Sequence, residues 1–460
     1  MKKLNQLEES KFLKLFFVFV SLSFIVAAAL IRYRADMFKG FVEILRSPCK
    51  VSTNYFYIGN YSGAFLNMGV VGLFCTALCC LPGAKPNNVT TLGFLLTVGF
   101  ASWGINPLNM VPTILGVCLF CLVKKEKLGS QVNAMMFSTG IAPLISELLF
   151  RYHGTELTAL NIGLAMGVGL IIGFFLPAGL GHAPNIHKGY NHYSAAVPIG
   201  FTAFFLRVVL YNVMLGKKIG DVQALEAFTY PKADFFWGCN IFCAVLFVTC
   251  IVVALLMGCK VKDYWNLMKD SGKGVSFTSK YGNAPFLMNV GVYGLMIVAY
   301  FNLAAYMDGG MDRMSTVWTG MTFGIVFCML CTANSGSHPG NVWPIMLGYV
   351  VTSYLFGWIA GSLGVEKYSL TIASQGMLIG LCYANGLSPI SGTYGWAYGA
   401  LAGGLHYLLV SAVPDMHGGF CLYNGGFTAA LICLMLIPQL EKFCKTKEER
   451  KLLKAEKAAK

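Results

Sequence analysis

Apolar stretches of about 20 residues alternate with short polar connections along the whole chain, which is the pattern of helices that cross a membrane. The pattern predicts an all-α polytopic membrane protein with about 14 transmembrane helices. Two of the predicted spans, 91–105 and 424–438, are short for a complete crossing. The predicted spans are 14–32, 59–80, 91–105, 107–123, 135–150, 159–177, 194–213, 236–258, 285–305, 315–334, 340–358, 369–386, 394–412 and 424–438.

Four short phrases occur twice, in the same order and at nearly constant separation, once in each half of the chain. One match between apolar sequences can arise by chance, but four in order, several with polar members, indicate an internal duplication. The duplication predicts two repeats of seven spans, at 14–213 and 236–438. The pairs are "NMGVVGL" (67–73) with "NVGVYGL" (289–295), "PLNMVPTILG" (107–116) with "PGNVWPIMLG" (339–348), "HKGYNHY" (187–193) with "HGGFCLY" (417–423), and "GFTA" at 200–203 with "GFTA" at 426–429.

The odd number of spans in each copy determines how the two copies are oriented. The second copy must enter the membrane from the opposite side, so the repeats are inverted about a pseudo-two-fold axis in the membrane plane. With the N-terminus inside, the lysine-rich loops 124–133 and 259–283 fall on the cytoplasmic side, in accordance with the positive-inside rule. We therefore predict a multi-pass plasma-membrane protein with both termini cytoplasmic. Its units are the first repeat at 1–235, the second repeat at 236–440 and a basic cytoplasmic tail at 441–460.

One segment, 33–58, is basic although this topology places it outside. Its apolar residues recur at helical spacing, which is typical of an amphipathic helix lying in the membrane interface. The matching segment of the second repeat, 261–270, shows the same pattern. We expect a surface helix at the same place in both copies.

Composition supports the membrane class and excludes others. The chain of 460 residues is 56% hydrophobic and 12% charged, whereas soluble domains carry about 25% charged residues. The net charge of +14 comes largely from the ends and loops, without the basic patch interleaved with aromatic residues that nucleic-acid binding requires. The expected partners are the lipid bilayer and an unidentified small-molecule solute, with no nucleic acid; self-association into a homo-oligomer is left open.

Cysteines and histidines give no sign of a metal site. The sixteen cysteines lie mostly in apolar spans without the spacing of a zinc site or a disulfide framework, as buried small apolar residues do. Three histidines, His182, His187 and His192, share one predicted loop, but no carboxylate or cysteine accompanies them. We expect no bound metal and no cofactor.

The phrase P-x-N-x-x-P-x-x-L-G places Asn109 and Pro112 in one half, and Asn341 and Pro344 in the other. A proline in a helix leaves the carbonyl four residues back without its donor, which is tolerated inside a membrane only where protein or a water-filled cavity satisfies it. Two symmetric breaks would bring backbone groups and amides together near the axis, as a central substrate site. The alternative is that the phrases are tight turns in which the asparagines cap the following helix; both hold if the turn lies at a vestibule.

Two further asparagines, Asn67 and Asn289, lie within apolar spans and precede glycines that allow close helix approach. We assign them to the predicted substrate-binding set, with a hydrogen bond to a facing backbone as the alternative. His187 and His417, with Tyr193 in the first half and Tyr423 in the second, are candidates for a gate or a proton-linked contact. Their alternative role is anchoring at the membrane interface.

Glu147 and Arg207 are the clearest charged residues inside predicted spans. Intramembrane ionisable residues often serve function, but both lie toward span ends, where a long side chain can reach the interface.

These features favour a secondary transporter of a small neutral or weakly charged solute, working by alternating access. A passive channel is the main alternative, and a membrane-embedded enzyme is a third. The sequence contains no phosphate-binding loop of the ATPase type and no nucleophile paired with a base. We therefore expect no catalytic residues and no enzymatic activity.

With the duplicated N-x-G-V-x-G-L and P-x-N-x-x-P-x-x-L-G phrases, the chain resembles a family of bacterial multi-spanning membrane proteins classed as a domain of unknown function. The resemblance implies the fold along nearly the whole chain but no substrate. In architecture, seven plus seven inverted spans with a short third and tenth are similar to the uracil permease type of carrier. In nucleobase carriers acidic residues of the eighth and tenth spans contact the substrate, whereas 236–258 and 315–334 here contain no Asp or Glu.

Overall fold

A computed structural model describes residues 1–31, 33–50, 53–154, 157–215, 232–314, 317–365 and 372–459, the side chains of 232–234 and 308–314 excepted. Within these ranges the regular structure is helical and contains no strand. The helices up to residue 215 are α1 (Lys2–Asn5), α2 (Glu9–Leu30), α3 (Met37–Arg46), α4 (Tyr55–Leu78), α5 (Asn88–Phe100), α6 (Pro107–Lys124), α7 (Val132–Ser138), α8 (Ala142–Phe150), α9 (Ala159–His187) and α10 (Ala196–Arg207), which continues as a π-helix over Val208–Leu215.

The described helices from residue 232 onward are again a mixture of long and short elements. They are α11 (Lys232–Leu256), α12 (Val261–Leu267), α13 (Phe277–Tyr281), α14 (Asn283–Met314), α15 (Gly320–Leu330), α16 (Pro339–Ser362), α17 (Gln375–Ala384), α18 (Ser388–Tyr394), α19 (Trp396–Val410), α20 (Val413–Met416), α21 (Asn424–Phe443) and α22 (Lys447–Ala458).

Ten helical segments of the described chain are long and apolar enough to cross a membrane, and α5 and the stretch 320–334 are shorter apolar helices. The chain is therefore an all-helical protein of the membrane class, as predicted. The ten segments are Glu9–Leu30, Tyr55–Leu78, Pro107–Lys124, Leu128–Phe150, Ala159–His187, Ala196–Leu215, Phe235–Leu256, Asn283–Met307, Pro339–Ser362 and Asn424–Ala458.

Several predicted boundaries were wrong. The helix predicted at 159–177 continues to His187, so part of the predicted histidine loop is helical. The span predicted at 424–438 is α21, a 20-residue helix, and is not short. The span predicted at 135–150 is divided into α7 and α8 by a turn at Thr139–Ile141. The span predicted at 369–386 begins in residues outside the described ranges, and its described part ends at a similar turn, Asn385–Leu387.

Helices are present at both places where an interfacial helix was expected, as α3 and α12. Their location at the membrane interface stays a prediction. In each half the long helices pair in the same way: α2 packs on α4 and α6 on α9, while α11 packs on α14 and α16 on α19.

Aromatic side chains from both halves meet between these pairs. Phe24 and Phe242 have ring centroids 4.9 Å apart, and Phe65 and Phe323 lie 5.1 Å apart, so one core joins the two halves.

The short helices α5 and α15 lie against each other and run in opposite directions. Ser102, just after α5, donates to the carbonyl of Gly320 at the start of α15 (2.7 Å). At the other end, Asn88 donates to the hydroxyl of Ser335, just after α15 (3.4 Å). One short helix from each half is thus paired along its length in the middle of the buried core.

Glycine permits this close pairing. A Cβ atom added to Gly324 of α15 would lie 2.3 Å from the carbonyl oxygen of Gly99 and 2.1 Å from the Ser102 hydroxyl. Since real Cβ atoms do not approach backbone atoms so closely, the two helices touch backbone to backbone at this point.

Candidate functional site

The two repeated polar phrases form the N-terminal caps of α6 and α16. The Asn106 side chain accepts hydrogen bonds from the N–H groups of Leu108 and Asn109, and the Asn109 side-chain oxygen Oδ1 accepts the Asn106 N–H (2.9 Å). In the second half, the Asn341 side chain accepts the N–H of His338 (3.0 Å). These bonds satisfy donors that every helix start leaves free, as the alternative interpretation of the phrases expected.

The second proline of each phrase does not interrupt the helix in which it lies. Pro112 lies inside α6 and Pro344 inside α16, and both are buried. Pro107 and Pro339 occupy the first helical position, where a missing N–H costs nothing. The non-helical backbone therefore precedes each phrase, at residues 101–106 and 335–338.

Asn67 holds the first of these connections in place. Its amide nitrogen donates to the carbonyls of Ala101 (2.7 Å) and Ile105 (2.8 Å), while the amide of Asn109 donates to the carbonyl of Gly104 (3.0 Å). All these carbonyls would otherwise lack helical donors. The two amides thus fix the backbone on both sides of Trp103.

The second connection is held by the equivalent pair. Asn289 donates to the carbonyls of Ala333 and Ser337, each at 2.9 Å, and Asn341 donates to the carbonyl of Gly336 (2.9 Å). The four asparagines chosen from the sequence therefore have matched framework contacts. Their role as substrate-binding residues stays a prediction.

The two histidines close the connections that lead into α10 and α21. The His187 ring bonds to the Ser194 hydroxyl (2.8 Å), and the His417 ring bonds to the Asn424 side chain, seven residues on in both cases. The pKa of His417 is lowered to about 4, because the effect of burial exceeds the opposite effect of the bond to Asn424. The His417 ring is therefore neutral near pH 7.

Each of the two tyrosines lies against a broken helix of the opposite half. The Tyr193 hydroxyl donates to the Asn385 side chain (2.6 Å), within the turn between α17 and α18. The Tyr423 ring packs on Gly140, within the turn between α7 and α8, and the Leu422 N–H donates to the Gly140 carbonyl (2.9 Å). The Tyr423 hydroxyl is buried with no hydrogen-bond partner among the described residues. These contacts join the ends of the two halves.

A cavity of about 860 Å³ lies beside the paired short helices, within the size range of small-molecule sites. It is lined by Trp103 in the connection after α5, the start of α15, the helices α16, α17 and α19, and the segments 410–415 and 422–425. Aromatic, apolar and a few polar side chains form its wall, a mixture typical of ligand pockets. The lining includes Trp103, Met321, Tyr349, Gln375, Tyr383 and Asn424.

Trp103 is the most informative residue of this wall. Its ring packs edge-to-face on Phe100, with centroids 4.9 Å apart. Its side chain is buried, and the indole N–H has no hydrogen-bond partner in the part of the chain that the structure describes. A buried unpaired donor is costly. The indole nitrogen itself is buried, so a turn of the ring that brings the N–H to an acceptor on a ligand in the cavity would stabilise it.

The six asparagines and prolines predicted to bind substrate are absent from the described lining of the cavity, and so are His187, Tyr193, His417 and Tyr423. Several are nevertheless adjacent to it. Asn67 and Asn109 fix the loop that carries Trp103, and His417 holds Asn424. Sequence reasoning missed Trp103 itself, although it stands four residues before Pro107, the first residue of the first polar phrase.

Metal binding has no support in the geometry of the described residues. Among them, no group of three or more His, Cys, Asp or Glu side chains is close enough to hold a metal ion.

Comparison with known proteins gives a family but no function. A family model described as "Protein of unknown function (DUF1576)" matches residues 33–215 and 257–442, which together exceed half of the chain. No curated protein and no solved structure matches the chain. The resemblance to an uncharacterised family, suggested by the duplicated phrases, is confirmed. The chain belongs to the family of proteins of unknown function DUF1576.

Proposed function

We propose that the protein is a secondary transporter that binds a small neutral or weakly charged solute in the cavity beside Trp103. The observation that carries the proposal is a cavity of about 860 Å³ whose wall includes Trp103, a side chain with a buried indole N–H that has no partner among the described residues. A solute with an apolar or aromatic body and one hydrogen-bond acceptor fits such a wall. The lining has few polar side chains and one carboxylate, Asp415, which favours a neutral or weakly charged ligand.

Alternating access needs two halves that can exchange roles, and we propose fourteen spans in two inverted repeats for this purpose. The antiparallel pair α5 and α15, one helix from each half, supports the proposal. So does the matched bonding of Asn67 and Asn289 to the connections that follow these helices. We place both termini in the cytoplasm and the protein in the plasma membrane.

Cysteine labelling tests this topology. Single cysteines at positions 126 and 310, introduced into a cysteine-free chain, should react with a membrane-impermeant maleimide from opposite sides. Labelling of both from the same side would rule out the inverted arrangement. The unlabelled cysteine-free parent is the control.

The solute site is tested by ligand-induced stabilisation of the purified protein. A metabolite present at about 100 times its Kd stabilises the folded state by about 2.7 kcal/mol, so a screen by melting temperature reveals it. Trp103→Phe removes the indole N–H and keeps an aromatic ring, and it should abolish the stabilisation. Trp318→Phe is the matched control, since the Trp318 indole is also buried and unpaired among the described residues but does not line the cavity.

Two results would contradict the proposal. One is a ligand whose stabilisation is lost equally in Trp103→Phe and Trp318→Phe, because the effect would then be global. The other is a ligand that stabilises the Trp103→Phe variant as strongly as the unchanged protein. An enzyme would instead convert the ligand during incubation, which mass spectrometry of the mixture detects.

A further inference from the structure

A buried carboxylate lies apart from the cavity, in the first half of the chain. Glu147 of α8 is 3% exposed, and it is the only Asp or Glu among the described residues that is both buried and inside a candidate membrane span. One of its oxygens accepts the hydroxyl of Tyr211 (2.7 Å). The other, Oε2, is buried without a hydrogen-bond partner in the described part of the chain. A carboxylate in such surroundings is costly to keep charged and half-bonded.

The residues around this carboxyl are positioned by unusual backbone. Tyr211 lies in the π-helix that extends α10, and π-helical turns occur frequently at functional sites. Tyr152, two residues beyond the end of α8, donates to the carbonyl of Leu210 (2.6 Å) and ties the π-helix to α8. The Tyr211 hydroxyl is thereby held against Glu147.

Cationic groups face the same carboxyl. Lys50, which is 7% exposed, and Arg151 both interact electrostatically with Glu147. The helices α6 and α9, which also pack on α8, contribute only the amides of Asn109 and Asn161 at this end among the described contacts. The titratable and charged groups facing Glu147 are Tyr211, Lys50, Arg151 and Cys49.

Glu147 is not part of the duplicated framework. In α8 it stands four residues after Pro143, and the same position after Pro389 in α18 is Thr393. The asparagine contacts occur in both halves, whereas this carboxyl occurs in one. A charge that the second half lacks is not needed to build the common fold.

A chain of contacts leads from Glu147 toward the cavity. The Tyr211 ring stacks on Phe420, with centroids 5.7 Å apart, and the Lys50 ammonium lies 5.9 Å from the centre of the same Phe420 ring. Phe420 belongs to the segment 417–425, in which Leu422 and Asn424 line the cavity. A change at the carboxyl therefore reaches the cavity wall through one aromatic side chain.

We propose that Glu147 is a proton-binding site that controls access to the cavity. A proton from water adds to Oε2, which changes the carboxylate into a neutral carboxylic acid while the Tyr211 bond to Oε1 is kept. Lys50 and Arg151 then lose the attraction of that negative charge, and removing one partner from a buried group of charges is destabilising. Rearrangement of Lys50 and Tyr211 around Phe420 relieves it and moves the 417–425 segment. The inference rests on the proposed transport function, because it supplies the coupling ion.

The first experiment needs no solute. Infrared difference spectra of the purified full-length protein, recorded against pH, should show a protonated-carboxyl C=O band that grows as the pH falls. Glu147→Gln should lose this band and Glu126→Gln should keep it, since Glu126 is an exposed carboxylate of the α6–α7 connection. Tyr211→Phe keeps the carboxyl but removes its hydroxyl donor, and should move both the band frequency and its midpoint.

The second experiment measures the cavity. A cysteine at position 411, where Ser411 lines the cavity, should react with an impermeant maleimide at different rates in mildly acidic and mildly alkaline buffer. The pH dependence beyond that of the reagent, measured on free cysteine, should disappear in Glu147→Gln and persist in Glu126→Gln. A rate that depends equally on pH in both variants overturns the proposal.

The outcomes separate the two proposals. If Glu147→Gln removes no pH-dependent C=O band, Glu147 does not exchange protons. The inference then fails even if a solute binds beside Trp103. A Glu147 band with pH-dependent labelling, but no solute that stabilises the protein, keeps the proton site and removes the transporter. If Glu147→Gln does not fold, Tyr211→Phe decides, because an unshifted band in that variant overturns the assignment.

Discussion

Asn67→Ala tests whether the paired asparagines are framework residues. Asn67 is fully buried and makes two hydrogen bonds, of 2.7 and 2.8 Å, to the carbonyls of Ala101 and Ile105. Removing the amide leaves both carbonyls without a donor at the connection between α5 and α6. We expect the variant to be less stable and the loop that carries Trp103 to be less ordered.

The magnitude follows from the two bonds. Net hydrogen bonds inside membrane proteins contribute about 0.6 kcal/mol each, which gives about 1 kcal/mol for two bonds. Orphaned buried acceptors cost about 1–3 kcal/mol each, which gives about 2–6 kcal/mol for two carbonyls, so the loss lies between about 1 and 6 kcal/mol. The entropy of unfolding is about 2.1 cal/mol/K per residue, or about 1 kcal/mol/K for 460 residues. The melting temperature should therefore fall by about 1–6 °C.

The assay is thermal unfolding of the detergent-purified protein, followed by intrinsic fluorescence. Asn266→Ala is the control, because Asn266 is an exposed asparagine of α12, and its replacement should change stability by less than about 0.5 kcal/mol. Asn289→Ala should lose at least as much stability as Asn67→Ala, since its two donated bonds are equivalent and its side-chain oxygen also accepts the Tyr264 hydroxyl (3.4 Å). If Asn67→Ala melts like the unchanged protein while solute binding is lost, Asn67 contacts the ligand and the framework assignment is refuted.

Two further predictions concern packing and pH. Gly324→Ala should destabilise the protein by about 1–3 kcal/mol through overpacking, whereas Gly163→Ala, which has open space around it, should be neutral or gain up to about 1 kcal/mol in helix propensity; equal melting of the two variants would contradict close backbone contact between α5 and α15. Burial alone would raise the pKa of Asp270, but hydrogen bonds led by that from Lys280 (2.6 Å) lower it below 3.8. A carboxyl group whose pKa is lowered by folding stabilises the fold at pH values above its unfolded-state pKa, and this stability is lost as the pH falls through its folded-state pKa. The melting temperature should therefore decline below about pH 3.8, and Asp270→Asn should make this decline less steep. An equally steep decline in that variant would contradict the assignment.

The membrane class and most helices could be predicted from the sequence, because a helix that crosses a lipid bilayer needs about 20 apolar residues and its connections in water are polar. The short helices α5 and α15 and the helices α3 and α12 were confirmed. The turns that divide α7 from α8 and α17 from α18 were missed, because a turn inside a buried apolar run leaves the hydrophobic pattern intact. The turn at Asn385 is held by contacts that are distant in sequence, because the Asn385 amide donates to three groups outside its own helix. No local pattern reveals such contacts.

The candidate site was less predictable than the fold. The duplicated asparagines were found because they occur in both halves of the sequence. In the structure they cap helices or hold the adjacent connections. The cavity could not be found, since its wall joins Trp103 with residues near 349, 383 and 424, which no local pattern relates. Glu147 was noticed as an intramembrane charge, but its contact with Tyr211 depends on the π-helix, which the sequence pattern does not distinguish from an α-helix.

Counterflow in proteoliposomes tests the central claim most directly. A labelled solute identified by thermal shift should enter vesicles loaded with the same unlabelled solute by a saturable process that the internal solute accelerates. Trp103→Phe should abolish this exchange and Trp318→Phe should leave it intact. Flux that rises linearly with concentration, ignores the internal solute and is equal in both variants would show a passive channel, and it would contradict transport through a solute site at Trp103.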